Sequence, residues 1–298
     1  MSQTDLSEQV DRSIGATFSN TTKAAGTCSS CGQSSQLGRS AVPTSYVYAI
    51  GRIEPRFPRQ SIEKEFAQVV ARSDTRGLTD RQTQHKILSQ RENRYLARQM
   101  CWVMTIEGLE TYLLVPRDPC DLELLVESLR ATPSSLDIDV VIGARGPLAP
   151  TEMCNGLAIP IVIVDQIYSF DQQTLLKSIP KPKDVGSDLF KQAASELLER
   201  VMQLADNDGA ADSHRALNYL AVRYPAIYEK VADAFGANSS LSAVDVSPSR
   251  LSAARKITDV IFSFVSRSTD VTEKFFVRVD VTEEFPFLVT KLSPYFDR

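Results

Sequence analysis

The hydrophobic positions of this 298-residue chain change period along its length, and the changes mark out its elements. In SYVYAIGRIEPRF, Val47 and Ala49 alternate with Tyr46, Tyr48 and Ile50. That is the two-residue period of a strand, and Pro55 and Pro58 end it. Ile62, Phe66, Val69 and Val70 then recur at helical spacing, and Thr79-Asp80 opens a second helix to about Gln90 that carries His85, Ile87 and Leu88. The stretch NRYLARQMCWVMTIEGLETYLLVPR, Asn93 to Arg117, reads as two adjacent strands with a tight turn at Glu107-Gly108. On its first strand Met100, Trp102, Met104 and Ile106 share one face. Cys101, Val103 and Thr105 point the other, less apolar way. Asp118-Pro119 puts an N-cap residue before proline at the first helical position. The helix DLELLVESLRA that follows is expected to bury Leu122, Leu125, Val126 and Leu129.

Farther along, IDVVIGARG reads as a strand and PLAPTEMCNG as a loop holding Cys154. LAIPIVIVDQIYSF suits a buried strand entered irregularly at Pro160. IPKPKDVG is a turn or linker. Residues 187–207 give the clearest helix, with Leu189, Phe190, Ala193, Leu197, Leu198, Val201, Met202 and Ala205 on one face. Residues 216–235 give one or two more helices, broken near Tyr224-Pro225. Beyond Leu241 the runs are strand-like, with Thr269-Asp270 as a hairpin loop. The expected class is α+β: one mixed domain over 44–298 with a central, largely antiparallel sheet and packed helices. Its late strands join or face the early sheet, and the one internal boundary the pattern allows is near 180–185. Residues 1–43 are poor in large apolar side chains, so ordering them cannot be offset by burial. They are expected to be a flexible N-terminal segment.

Composition narrows the function classes. A hydrophobic share of 43% and a charged share of 23% are those of an ordinary globular chain. A net charge of −4 gives no pull towards nucleic acid or anionic lipid. No apolar run approaches the roughly 20 residues that cross a bilayer. The start, MSQTDLSEQVDRS, has neither the basic nor the apolar region of a secretory signal. Five cysteines in such a chain fit reduced thiols or a metal better than disulfides, and a cytoplasmic location.

Cys28-x-x-Cys31-Gly32 is the sharpest local motif. Two cysteines at this spacing can face one cation, and the glycine lets the backbone turn its N–H groups towards the thiolates. This is half of a tetrahedral zinc site. The other ligands must come singly from Cys101, Cys120, Cys154, His85 or His214. Cys154 precedes the flexible Asn155-Gly156, and Cys101 lies on the polar face of a central strand. Cys120 begins a helix after Pro119, a place that lowers a thiol pKa without metal. The preferred set is therefore Cys28, Cys31, Cys101 and Cys154 around a structural Zn²⁺. The alternative is a solvated pair in the tail with inert buried thiols elsewhere.

Catalysis finds less support. A Ser–His–Asp hydrolase would need His85 or His214 as base. Asp212-Ser213-His214 reads better as the N-cap of the next helix. G-x-S-x-G, H-E-x-x-H, the P-loop and G-x-G-x-x-G are all absent. Glu107, Glu110, Glu283 and Glu284 read as solvated or turn residues. Arg91, Arg94 and Arg98 with Tyr95 read first as a charged helix end or strand face, and second as a site for an acidic peptide. Phe275, Phe276, Phe285, Phe287, Tyr295 and Phe296 read mainly as core, with a minority in an exposed patch.

Several long strings carry a resemblance: SYVYAIGRIEPRFP, LSQRENRYLARQMCWVMTIEGLETYLLVPRDP, MCNGLAIPIVIVDQIYSF, HRALNYLAVRYPAIY and VTEKFFVRVDVTEEFPFLVTKLSPYFDR. Over about residues 44–298 the chain resembles the C-terminal domain of unknown function of the subtilisin-like maturation proteases of cyanobactin pathways, the patellamide-type proteases. The resemblance implies a role in making ribosomal, modified cyclic peptides. Those proteases cut or macrocyclise with a separate subtilisin domain, and nothing here matches it, so no catalytic residue carries over. With the cysteine motif added, the expected function is a non-catalytic, zinc-stapled accessory domain. Its implied partners are a subtilisin-like maturation protease or the precursor peptide, with a homodimer left open. The rival readings are a hydrolase or transferase acting on the modified peptide and, disfavoured by charge, a zinc-dependent nucleic-acid binder.

Overall fold

The computed structural model describes residues 45–171, 174–175, 186–202 and 206–296. The expectations placed on residues 1–43, on Cys28 and Cys31, and on a boundary at 180–185 lie outside the described residues. Strands β1 (Ser45–Arg56), β2 (Cys101–Ile106), β3 (Leu109–Pro116), β4 (Asp137–Leu148) and β5 (Pro160–Asp171) close into a barrel in the order β1-β2-β3-β5-β4. Its pairs are antiparallel except β3 with β5, which run parallel from Leu113–Ile161 to Pro116–Val164. A barrel of so few strands has room only for side chains. Val47, Ala49, Trp102, Met104, Tyr112, Leu114, Val141, Val162 and Val164 belong to one core, and Ile62, Phe66, Leu88, Leu96 and Leu125 extend it. These last come from helices α1 (Gln60–Arg72), α2 (Asp80–Leu88), α3 (Arg94–Gln99) and α4 (Leu122–Glu127).

A second core lies on the opposite side of β1 and β4. Tyr48, Ile50, Ile138, Val140 and Ile142 meet helices α5 (Ser187–Met202), α6 (Asp212–Arg223) and α7 (Ala226–Gly236) there. Helix α5 buries Phe190, Ala193, Ala194, Leu197, Leu198 and Val201, the apolar stripe its spacing predicts. Across the helices lies an antiparallel sheet of β6 (Ser239–Pro248), β7 (Ile257–Ser266), β8 (Thr272–Asp280) and β9 (Phe287–Pro294), in that order. Val260, Phe262, Phe264, Val277 and Val279 face the helices. Because β1 and β4 are covered on both faces, their sequences read as nearly continuous apolar runs. No helix among the described residues is long and apolar enough to cross a membrane.

The class is α+β, as expected, but with two sheets rather than one central sheet. Alternation fixes a strand's faces, not its neighbours. The structure also corrects the reading of Asn93–Arg117. Residues 94–99 are helical, burying Leu96 and Ala97, and the first strand begins only at Cys101. The turn is as expected: Glu107 at φ 50° and Gly108 at φ 82° are both left-handed, which suits a hairpin's twist. Thr79 caps α2 reciprocally with Gln82. Asp212-Ser213-His214, in contrast, is the first turn of α6 and not its cap, which is Ala211.

The barrel wall holds ionisable groups out of water, Asp139 among them. Asp139 is 1% exposed. It accepts hydrogen bonds from Ile53 N (2.7 Å) and Ser169 Oγ (2.6 Å), with Arg81 at 3.9 Å. Burial outweighs these partners and pushes its carboxyl up to about 6. A raised carboxyl stabilises the fold while protonated. Its contribution is full below the ordinary value of 3.8 and is lost as pH rises to about 6. Between pH 4 and 6, Asp139→Asn is therefore expected to flatten a fall in Tm that the parent shows. Parallel Tm–pH profiles would refute the assignment.

Candidate functional site

Cys101 and Cys154 meet as a disulfide joining β2 to the loop before β5, with Cα atoms 6.0 Å apart. The loop turns back on itself through Gly156 N→Thr151 O (2.8 Å) and Leu157 N→Cys154 O (2.8 Å). Asn155 and Gly156 both have positive φ, which aims Cys154 inward. Two expectations are corrected here. The face carrying Cys101 is apolar: both cysteines are buried in a small cluster with Val103, Leu113 and Ala149. And these thiols are bonded to each other rather than free, because the loop delivers one sulfur directly onto the other. Half of the four-cysteine set is thus brought together.

The remaining candidates lie apart. Cys120 is exposed, and the Asp118 carboxylate, hydrogen-bonded beside it, raises its thiol pKa, the reverse of what a helix start alone would do. His85 is partly buried, and burial lowers its pKa against a weaker opposing pull from Glu127. Among the described residues, no three His, Cys, Asp or Glu side chains converge as a metal site.

His214 Nδ1 lies 3.1 Å from Asp208 Oδ1, not beside Asp212 as sequence adjacency suggested. Burial opposes ionisation of Asp208, but the bonds to Ala210 N and His214, with the Tyr112 phenol nearby, hold its carboxyl below the usual range. Burial, aided by Asp208, raises the Tyr112 phenol. The loop carrying Asp208 is seated on the barrel. Tyr48 N donates to Gly209 O (2.9 Å), and Asn218 Nδ2 donates to Tyr48 O (2.8 Å). Gly209 is required there: its φ is +78°, and a Cβ would lie 2.5 Å from Tyr48 O. This is a docking arrangement built on a histidine.

A second polar cluster ties the β8–β9 loop to the barrel. Arg215 is 2% exposed and donates to Val281 O (2.6 Å), Glu284 O (3.1 Å) and Glu283 O. Arg117 grips Asp165, with Nη2–Oδ2 at 2.8 Å. Burial, and then the neighbouring Asp165, pushes the Glu284 carboxyl up to about 7. The sequence reading that left Glu284 unpaired is corrected, as is that for Glu110, which Arg56 holds at 3.0 Å. The partners lie more than a hundred residues away or on another strand, beyond the reach of local pattern. The C-terminal aromatics are also redistributed. Phe275 packs on the core, Phe276 stacks on Tyr295, and Phe285, Phe287 and Phe296 are exposed.

Two clefts flank the disulfide. One, of about 480 Å³, runs along α3 and the start of β2, with Cys101 and Met153 in its wall. The other, of about 680 Å³ and more polar, is lined by Arg56, Phe57, Arg59, Glu63, Cys154 and Leu157. The loop around Cys154 contributes to both.

A five-stranded barrel, a helical layer and a four-stranded antiparallel sheet define an α+β domain architecture. A solved structure described as the PatG domain of unknown function shares it, with a TM-score of 0.69 and 21% sequence identity over 84% of this chain and 98% of that one. Residues 185–295 match the PatG C-terminal family, so over that part the resemblance read from the sequence holds. No curated protein sequence matches the chain.

Proposed function

We propose that this chain is a non-catalytic interaction domain in the maturation of ribosomally made cyclic peptides of the cyanobactin type. It would act by contact with a subtilisin-like maturation protease or the precursor peptide. The observation that carries this reading is the match of residues 185–295 to the PatG C-terminal family, supported by the shared fold. The test is co-purification. Immobilised protein should retain the protease or the full-length precursor from a defined mixture. Failure to retain either, with peptide output unchanged on its deletion, would contradict the proposal.

Zinc belongs to the same proposal. Cys28, Cys31, Cys101 and Cys154 are the set we assign to one structural Zn²⁺ in the reduced protein. Two of them already share one place, although bonded as a disulfide they are not ligands. Bound there, the ion would supply a cross-link, and the thiols would serve it as thiolates. Reduced protein is expected to carry one zinc per chain, lost on Cys31→Ser with a fall in Tm. Metal-free reduced protein with an unchanged Tm for Cys31→Ser would sink the assignment.

A further inference from the structure

The arginines singled out in the sequence as a site for acidic peptides divide in the fold. Arg94 is taken by Glu123 at 2.6 Å. Arg117, farther along, is taken by Asp165. Arg98 is exposed on α3 and has no acidic partner among the described residues. It stands at the 480 Å³ cleft, beside Gln99, where Met100, Trp102, Leu113 and Met153 form much of the wall. The cleft therefore combines apolar walls with one exposed guanidinium that has no acidic partner among the described residues.

That combination selects its occupant. Apolar side chains entering the cleft gain on the order of 25 cal/mol per Å² removed from water. A carboxylate at the mouth gains a planar, two-pronged partner in the guanidinium. The volume is in the range of small-ligand clefts, enough for two or three residues rather than a folded partner. A peptide that ends in an apolar residue carries an apolar side chain and a carboxylate on one Cα, so both can be met within this short span. We propose that the cleft binds the C-terminal end of a linear peptide, with its apolar final side chains in the cleft and its terminal carboxylate on Arg98. This rests on the reading of the chain as an interaction domain and gives it a location. A macrocycle of the same composition has no terminal carboxylate, so the site distinguishes linear from cyclised peptide.

Trp102 is the chain's single tryptophan and lines the cleft, so its fluorescence reports occupancy. The probes are acetyl-Ala-Ala-Val-Leu with a free carboxylate, its C-terminal amide, and a head-to-tail cyclic peptide of Ala, Val and Leu, each followed by fluorescence and calorimetry. The free acid is expected to change Trp102 emission saturably. The amide and the cycle should bind at least about tenfold more weakly, the scale of one charge-assisted contact. In Arg98→Gln the difference between acid and amide should fall below about twofold with Tm unchanged, since Arg98 is exposed. Equal binding of acid and amide, no calorimetric binding of the acid, acid binding that leaves Trp102 unchanged, or an Arg98→Gln protein that still discriminates would each overturn the proposal. Failure here with retained capture of the protease would leave the interaction reading standing. Peptide binding without that capture would locate the interaction in the peptide alone.

Discussion

Arg215→Met is expected to lower the free energy of unfolding by about 3–5 kcal/mol, the cost of stranding the buried Val281 carbonyl and the part-buried carbonyls of Glu283 and Glu284 together. Arg215 is 2% exposed and crosses from α6 to the carbonyl oxygens of Val281, Glu283 and Glu284. Its guanidinium also lies 5.4 Å from the centre of the Tyr46 ring on β1, so one side chain links barrel, helical layer and sheet loop. Methionine fills much of the space but satisfies no acceptor. Lysine supplies a charge without the planar fork, so Arg215→Lys should fall between the two. Denaturant unfolding measures both. A loss below about 1 kcal/mol for the methionine variant would show that water replaces the guanidinium without penalty.

Cys154→Ser is expected to cost the oxidised protein about 4 kcal/mol by the chain-entropy relation. The Cys101–Cys154 bridge spans 53 residues of sequence, from β2 through α4 and β4, so removing it frees a long loop in the unfolded chain. Cys101→Ser should cost nearly the same, and the double variant little more than either, because all three lose one bond. Additive losses in the double variant would mean that the two cysteines stabilise the fold separately. Equal stability of parent and single variants without reductant would mean that they are not bonded.

Much of this fold was legible because its local chemistry agrees with its tertiary fate. Thr79 with Gln82, Glu107-Gly108, Tyr224-Pro225 and the stripe on α5 each declare an element from adjacent residues. Asn93–Arg117 marks where that stops. Leu96 and Ala97 are buried by a helix there, yet short apolar runs fit helix and strand alike. Barrel closure was not legible either, since it depends on β4 bonding both β1 and β5. At the candidate site, pattern alone named Cys101, Cys154 and Arg98 but not their setting. What makes Cys101 buried is Leu113 and Ala149, and it is Arg94 that meets Glu123. The pairing of His214 with Asp208 was hidden because Asp206-Asn207-Asp208-Gly209 reads first as a helix stop. Only the seat on Tyr48 turns it into a docking loop.

The central claim is that this domain engages its peptide without altering it. The direct measurement is native mass spectrometry of the purified chain with the linear precursor peptide, followed by denaturing mass analysis of the recovered peptide. A complex is expected whose peptide leaves with its mass unchanged, and the same outcome with His214→Ala. A peptide recovered cleaved, cyclised or otherwise shifted in mass, with the change abolished by His214→Ala, would contradict it and establish an enzyme instead.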